Sequence, residues 1–227
     1  RHGLDLCCGT GSAALAFADA GYTVRGVDGS PYMLRRARAK RRAAPVRIAS
    51  RVVFGPGVMP DFRANSALKA SAHTASLDFV TCYYDSLNYL LRENDLRATF
   101  RTVAELLKPG GLFVFDMNSN HALKVMWGKS TYAGAGENMA WIWKNRYLPR
   151  SKTAEVEAIF FKRNGKANTW RRFSEAHTER AYKISAVRRL LRESALAPLA
   201  AYRCFTFTAA SEKNFRHCYV ARRKDRN

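Results

Sequence analysis

The chain has 227 residues, of which 47% are hydrophobic and 25% charged, and its formal net charge at pH 7 is +21. This composition is that of a globular domain, and no apolar run approaches the roughly 20 residues needed to cross a bilayer. The five cysteines are scattered without C-x-x-C spacing. They predict free thiols in a reducing cytoplasm, and neither disulfides nor a metal site.

A glycine-rich turn follows the first predicted strand. The stretch "LDLCCGTGSAAL" begins at residue 4 with apolar residues and continues with Gly9, Thr10 and Gly11 before an alanine-rich segment typical of a helix. Glycine has no Cβ, so the backbone can turn tightly there and come close to a ligand. A strand, such a turn and a helix N-terminus can bind part of a nucleotide or nucleoside cofactor, although many dinucleotide enzymes share this G-x-G-x-x-A spacing.

An acid ends the second predicted strand, which spans residues 22–27. Asp28 stands where a carboxylate can accept hydrogen bonds from the two hydroxyls of a ribose. The alternative is a solvated acid in a turn. Ser30 suits the N-cap of the helix that follows, and Pro31 suits its first position.

Strands and helices alternate over the first half of the chain. We predict strands near residues 3–7, 22–27, 50–55, 77–82 and 111–116, with helices near 12–20, 31–42 and 94–107. This order predicts a parallel sheet covered on both faces, with a cofactor at the carboxyl ends of the strands.

Four stretches resemble the class I S-adenosylmethionine-dependent methyltransferases. "LDLCCGTG" is similar to their first motif and "GVDGSPYML" to their second, while "LDFVTCYYDSLNYLL" resembles the fourth strand with its loop. "ELLKPGGLFVFDMN" resembles the helix, turn and fifth strand, and its Lys-Pro-Gly-Gly turn is unusual in nicotinamide enzymes. The resemblance implies a doubly wound, mainly parallel, seven-stranded Rossmann-like α/β sheet. It also implies S-adenosylmethionine as the cofactor, S-adenosylhomocysteine as the product and a small-molecule methyl acceptor.

The resemblance also implies which residues bind the cofactor. They follow the first four predicted strands: Asp5, Cys8, Gly9, Thr10, Gly11, Asp28, Gly29, Ser30, Met33, Met59, Cys82, Tyr83 and Asp85. Two positions depart from the family pattern. Cys7 replaces a frequent third glycine, and Val58 stands where many relatives have an acid that binds adenine, with Asp61 three residues later.

The pattern changes after residue 120. Residues 138–182 show strand-like alternation, and Asn164-Gly165 is a hairpin signal. We predict a cofactor-binding core over residues 1–120, an antiparallel lid insert over 121–180, and a C-terminal helix with final strands over 181–227 that complete the core.

Two pairs in the insert share a strand face by the period of two: Trp141 with Trp143, and Glu175 with His177. The tryptophans could be core or could contact substrate. Histidine titrates near neutrality as a free side chain, so His177 could act as a base oriented by Glu175, or could be structural. Tyr84 follows the fourth strand, beside the expected methyl group. The candidate catalytic residues are therefore His177, Glu175 and Tyr84.

The excess of basic residues leaves other functions open. Arginines are concentrated at residues 35–42, at 188–192 and near the C-terminus. They could bind nucleic acid, or could reflect an arginine-rich proteome or solvated helix faces. Motifs for base methylation are missing, so an acceptor nitrogen or oxygen of a small molecule is the main hypothesis. An RNA methyltransferase or RNA-binding relative and a non-catalytic S-adenosylmethionine-binding protein are the alternatives, and the sequence does not indicate an oligomeric state.

Overall fold

The computed structural model describes residues 1–62, 76–165 and 169–225, and its main sheet has seven strands in the order β10-β11-β5-β4-β1-β2-β3. Five of them, β1 to β5, are parallel, and β11 and β10 add an antiparallel pair beside β5. This arrangement confirms the predicted Rossmann-like sheet. The strands of the main sheet are β1 (His2–Leu6), β2 (Thr23–Asp28), β3 (Val52–Pro56), β4 (Leu77–Cys82), β5 (Leu107–Asn118), β10 (Leu196–Arg203) and β11 (Arg216–Arg223).

Helices connect the strands and cover the sheet. The Ser30 hydroxyl accepts a hydrogen bond from the Met33 N–H, and Pro31 occupies the first turn, so the predicted start of α2 is confirmed. Two short helices, α3 and α5, were not predicted, because four to six residues carry too little periodicity. The helices are α1 (Ser12–Asp19), α2 (Pro31–Ala43), α3 (Val46–Ala49), α4 (Glu93–Leu106), α5 (Asn120–Val125) and α6 (Ile184–Glu193).

Apolar side chains are buried on both faces of the main sheet. One face packs against α4 and α6 through aromatic rings, with Phe115 and Tyr219 stacked at a centroid distance of 5.0 Å. The other face packs against the small residues Ala14 and Ala37.

The second sheet has four antiparallel strands in the order β6-β7-β8-β9 and lies within the insert predicted at 121–180. Arg163 pairs with Trp170, which confirms the hairpin signal at Asn164-Gly165. The first strand of this sheet, "TYAGA", was missed because it is short and mostly small residues. The strands are β6 (Thr131–Ala135), β7 (Met139–Leu148), β8 (Thr153–Arg163) and β9 (Trp170–Arg180). We call this sheet the lid.

The Lys-Pro-Gly-Gly turn forms an irregularity inside β5 rather than a separate element. Leu107 pairs with Leu77 and Leu112 pairs with Phe79, so the intervening four residues loop out of the ladder. Gly110 has a φ of +78°, which favours glycine. The strand therefore begins earlier than the predicted residue 111.

Candidate active site

A cleft of about 790 Å³ opens at the carboxyl ends of β1, β2 and β4. Twelve of the residues predicted for the site line it: Asp5, Cys8, Gly9, Thr10, Asp28, Gly29, Ser30, Met33, Met59, Tyr83, Tyr84 and His177. The carboxyl ends of neighbouring parallel strands meet at one edge of the sheet, so residues distant in sequence converge there. The lid contributes His177 from β9.

Four predicted residues do not line the cleft. They are Gly11, Cys82, Asp85 and Glu175. A Cβ on Gly11 would lie 2.5 Å from the Phe54 ring and 3.1 Å from Cβ of Ala37, so this glycine permits close packing under the turn. Cys82 is fully buried in the core. Glu175 lies beside the cleft, behind His177.

Asp85 is held in a buried polar cluster instead. Its carboxylate accepts hydrogen bonds from Arg216 Nη2 at 2.7 Å and from Asn118 Nδ2 at 2.9 Å. The neighbouring Asp116 accepts the backbone N–H groups of Tyr84 at 3.0 Å and of Asp85 at 2.6 Å. Tyr84 and Asp85 have φ values of +58° and +53°, an unfavourable conformation for a tyrosine, and these bonds hold both residues in it. The cluster therefore fixes the loop that presents Tyr83 and Tyr84 to the cleft.

The turn after β1 and the end of β2 are joined by Asp28. Its Oδ2 accepts the Gly9 N–H and its Oδ1 accepts the Ser30 N–H, both over 2.8 Å. Each oxygen keeps acceptor capacity for a further donor. Gly9 has a φ of +54°, and a Cβ built on it would meet no atom within 4 Å, so the backbone faces open cleft at this point. This is the geometry that lets a ligand approach the main chain.

Asp5 places an incompletely satisfied carboxylate on the wall of the cleft. Its Oδ1 accepts the Thr81 hydroxyl over 2.9 Å, whereas its buried Oδ2 has no hydrogen-bond partner among the described residues. Burial raises the pKa of Asp5 to about 6, against the opposing effect of the Thr81 bond. A positive charge in the cleft would favour the ionised form of this carboxylate.

Lys40 reaches the same turn from α2, and sequence reasoning missed it. Its Nζ donates to the hydroxyls of Thr10 at 2.8 Å and Ser12 at 2.9 Å. Lys40 thereby positions the turn between β1 and α1. It lies 28 to 30 residues from its partners, and only the fold brings these groups together.

Three polar side chains form a chain of contacts on the lid side of the cleft. The Tyr89 hydroxyl lies 3.1 Å from His177 Nδ1, and His177 Nε2 lies 3.4 Å from Glu175 Oε2. The rings of Tyr89 and His177 meet edge to face, with their centroids 5.9 Å apart. Burial raises the pKa of Tyr89 to about 12, so its hydroxyl keeps its proton near neutral pH. Tyr89 was not predicted, although it stands in the quoted "DSLNYLL".

Buried polar groups also join the lid to the core. Asn88 Nδ2 donates to the carbonyl oxygens of Asn118 in β5 and Arg180 in β9, at 3.0 and 2.9 Å. Glu179 is 1% exposed and accepts Asn118 Nδ2 over 3.0 Å. Burial and then the charge of Asp85, to which it is hydrogen-bonded, raise the pKa of Glu179 to about 8. Glu179 is therefore mostly protonated at neutral pH.

Other ligand classes find little support in the described part of the chain. The five cysteines are free. Burial raises the pKa of the Cys8 thiol, and a hydrogen bond with Cys7 together with burial raises the pKa of the Cys82 thiol. Within residues 1–62, 76–165 and 169–225 we find no group of three or more His, Cys, Asp or Glu side chains that could hold a metal ion. No helix described there is long and apolar enough to span a membrane.

Comparison with known proteins decides the family. A methyltransferase domain model matches residues 4–111. The chain is 34% identical over 220 residues to a protein of Geobacillus sp. (strain WCH70) named "Putative methyltransferase", and this match covers 97% of the chain and 83% of that protein. The chain belongs to the class I S-adenosylmethionine-dependent methyltransferases. "Putative methyltransferase YqeM" of Bacillus subtilis (strain 168) is 29% identical with the same coverage.

Solved structures agree with the family assignment. An S-adenosylmethionine-dependent methyltransferase from Clostridium acetobutylicum ATCC 824 matches with a TM-score of 0.82 and 26% identity, over 99% of this chain and 84% of that one. The CcbJ methyltransferase from Streptomyces caelestis shares the fold, with a TM-score of 0.81 and 21% identity over the same proportions. The cofactor of this methyltransferase is thus S-adenosylmethionine, as the resemblance implied.

The cleft fits this cofactor. The Asp5 carboxylate at the wall of the cleft suits the positive charge of the ammonium group of its amino-acid part, and the open backbone at Gly9 leaves space beside Asp28 for the ribose. Val58 and Met59 line the cleft beyond Gly29, whereas Asp61 does not. The adenine would therefore lie against apolar side chains and backbone.

Proposed function

We propose that this methyltransferase acts on a nitrogen or oxygen nucleophile of a small molecule. The observation that carries the proposal is the Tyr89–His177–Glu175 chain, which opens on the same cleft as Gly9 and Asp28. Tyr89 and His177 thus face the same cleft as the groups proposed to hold the cofactor.

Bound S-adenosylmethionine supplies a methyl group that is already activated by its sulfonium. The protein must align the acceptor with that methyl group and exclude water, and such positioning supplies much of the catalysis. Gly9, Asp28 and Asp5 would hold the cofactor, while Tyr83 and Tyr84 would cover the loop side of the cleft.

The lid chain can remove a proton from the acceptor. With a proton on Nε2, the imidazole of His177 donates toward the Glu175 carboxylate and accepts the Tyr89 hydroxyl at Nδ1. This assigned tautomer follows from the partners of the two nitrogens. An acceptor that hydrogen-bonds to the Tyr89 oxygen or displaces it from Nδ1 would reach a base oriented by Glu175. Tyr84, which is 79% exposed, is the alternative contact on the opposite wall.

The size of the cleft favours a small acceptor. A volume of about 790 Å³ lies within the range of small-molecule sites, and it must hold the cofactor and the reacting end of the acceptor. Solved structures that share the fold include an amino pentose methyltransferase and a glycopeptide N-methyltransferase, at 20% and 19% identity. These neighbours are compatible with an acceptor nitrogen, but at this identity they speak for the fold alone.

A nucleic-acid acceptor is the second candidate, and the surface of α2 favours it. Arg35, Arg36 and Arg42 are exposed there, and α2 carries no acidic residue. RNA retention that falls steeply with salt would support this candidate. Elution without RNA at physiological ionic strength would exclude it.

The proposed function is tested by cofactor binding and turnover. Calorimetry should detect S-adenosylmethionine, and a panel of small amines and alcohols should show acceptor-dependent formation of S-adenosylhomocysteine. Binding without turnover on amines, alcohols and RNA would favour a non-catalytic cofactor-binding protein. We also propose a cytoplasmic location, which the free thiols support.

A further inference from the structure

The lid carries an aromatic row on the face that presents His177 to the cleft. Trp141, Phe160 and Phe173 pair across β7, β8 and β9 in one register, so their side chains lie on one face. The Phe160 and Phe173 rings stack with their centroids 5.1 Å apart, and the ring centroids of Trp141 and Trp143 lie 5.5 Å apart. We call these four residues the aromatic row.

The aromatic row remains accessible although it is apolar. Trp143 is 40% exposed and Phe173 is 37% exposed. Gly134 in β6 lies beneath the Trp141 indole, since a Cβ there would fall 2.7 Å from the ring. The opposite face of the same sheet is mixed, because it carries ion pairs between Arg146 and Glu155 and between Lys144 and Glu157 together with the buried Ile159. The group of four aromatic rings therefore distinguishes the face that carries His177.

Charges of opposite sign stand at the two ends of the aromatic row. Glu175 follows Phe173 on the same face, toward the core, and His177 comes next. Lys162 and Arg171 pair with each other at the other end, near the tip of the hairpin. A cationic group would be repelled by Lys162 and Arg171 and attracted at Glu175.

We propose that the aromatic row and Glu175 form the acceptor subsite, and that its ligand is an organic amine with a flat, apolar body. The ring of the ligand would lie on the indole and phenyl faces, and its ammonium group beside Glu175 and the neighbouring rings. Cations favour such aromatic faces, and a carboxylate adds charge complementarity. The ammonium would lose its proton to Nδ1 of His177, taking the place of the Tyr89 hydroxyl there. The freed nitrogen lone pair would form the new N–CH₃ bond as the S–CH₃ bond breaks, and the electron pair of that bond would stay on the sulfur of the product S-adenosylhomocysteine. This inference rests on the proposed function, because it names the acceptor of that same site.

Matched ligands on the protein loaded with S-adenosylhomocysteine test the chemistry of the subsite. The probes are 2-phenylethylamine, 2-phenylethanol, 3-phenylpropanoate and n-butylamine, titrated by ligand-observed NMR. We expect 2-phenylethylamine to bind about three- to tenfold more tightly than each of the others, as cation–π and charge complementarity predict. Equal binding of the alcohol, the carboxylate or the alkyl amine would overturn the inference, as would no binding of any probe.

Matched variants test the location. Phe173→Ala should weaken the binding of 2-phenylethylamine about three- to tenfold, and Glu175→Gln should weaken it by a similar factor. Trp170→Ala is the control, since Trp170 is an exposed aromatic residue on the opposite face of the same edge strand. An equal effect of Trp170→Ala would overturn the location.

Calorimetry with S-adenosylhomocysteine separates the two proposals. If the unaltered protein binds S-adenosylhomocysteine but shows no preference for the amine, the proposed subsite is wrong and the proposed function stands. If the unaltered protein does not bind S-adenosylhomocysteine, the proposed function itself is wrong.

Discussion

The hydroxyl of Tyr89 lies 3.1 Å from Nδ1 of His177, and this contact joins the core to the lid across the cleft. Tyr89 belongs to the 3₁₀ turn at Ser86–Tyr89 that follows the loop after β4, and His177 belongs to β9. The residues are 88 positions apart. Under the proposed function, this pair would contact the acceptor.

We predict that His177→Ala lowers turnover far more than cofactor affinity. A general base contributes roughly 10²–10⁴-fold to the rate, whereas the groups predicted to hold the cofactor lie on the core. Tyr89→Phe and Glu175→Gln should give smaller losses, because each leaves the imidazole in place. Steady-state kinetics and calorimetry on each variant measure the two effects. If His177→Ala only lowers the melting temperature and the folded enzyme turns over normally, His177 is structural.

Gly9 and Gly11 should respond differently to alanine. A Cβ at Gly9 would project into open cleft, so Gly9→Ala should weaken cofactor binding at least tenfold with a smaller loss of stability. Gly11→Ala would place a Cβ against Phe54 and should chiefly lower the melting temperature. Thermal unfolding and calorimetry on the two variants provide the comparison. The account of the turn is wrong if Gly9→Ala binds the cofactor normally.

Asp28→Asn should weaken cofactor binding by roughly ten- to hundredfold, since a hydrogen bond to a charged group is worth about 1.5–3 kcal/mol. The amide also turns a donor toward the N–H of Gly9 or Ser30, both of which now face a carboxylate oxygen. A lower melting temperature should therefore accompany the loss of affinity. Unchanged affinity in a folded variant would mean that the ribose is held elsewhere.

Stability should fall as the pH rises from 6 toward 8.5, through the raised pKa of Glu179, which is about 8. The folded chain keeps a proton on Glu179 that the unfolded chain has already released above its ordinary pKa of 4.5, so raising the pH favours unfolding. Asp5 has the same sign, but its pKa of about 6 confines its effect largely to lower pH.

Glu179→Gln is the matched variant for this pH dependence. A neutral amide of the same shape should resemble the protonated acid, so the variant should be more stable than the parent at pH 6, and its advantage should widen from pH 6 to pH 8.5. Melting temperatures across this range measure the difference. Parallel curves for the two proteins would show that Glu179 titrates normally.

The sequence predicts the cofactor side of this molecule better than the acceptor side. Gly9 and Asp28 stand in continuous motifs at the ends of adjacent strands, so a local pattern and the rule for parallel sheets suffice to bring them together. Gly11 satisfies the same motif, yet it serves packing, because the motif does not state which glycine faces the ligand.

Contacts between distant segments could not be predicted from local patterns. Asp85 was expected beside the cofactor, but Arg216 on β11 and Asn118 on β5 hold it in a buried cluster. Tyr89 and Lys40 gain their partners only when the lid and α2 are in place. Such pairings depend on tertiary packing, so they cannot be predicted from the hydrophobic periodicity or the secondary-structure propensity of a segment.

A crystal structure with S-adenosylhomocysteine tests the central claim most directly. The account predicts that the ribose hydroxyls bind the Asp28 carboxylate, that the ammonium group lies near Asp5, and that the sulfur faces the side of the cleft with Tyr89 and His177. A ligand bound outside this cleft, or a sulfur directed away from Tyr89 and His177, would contradict it.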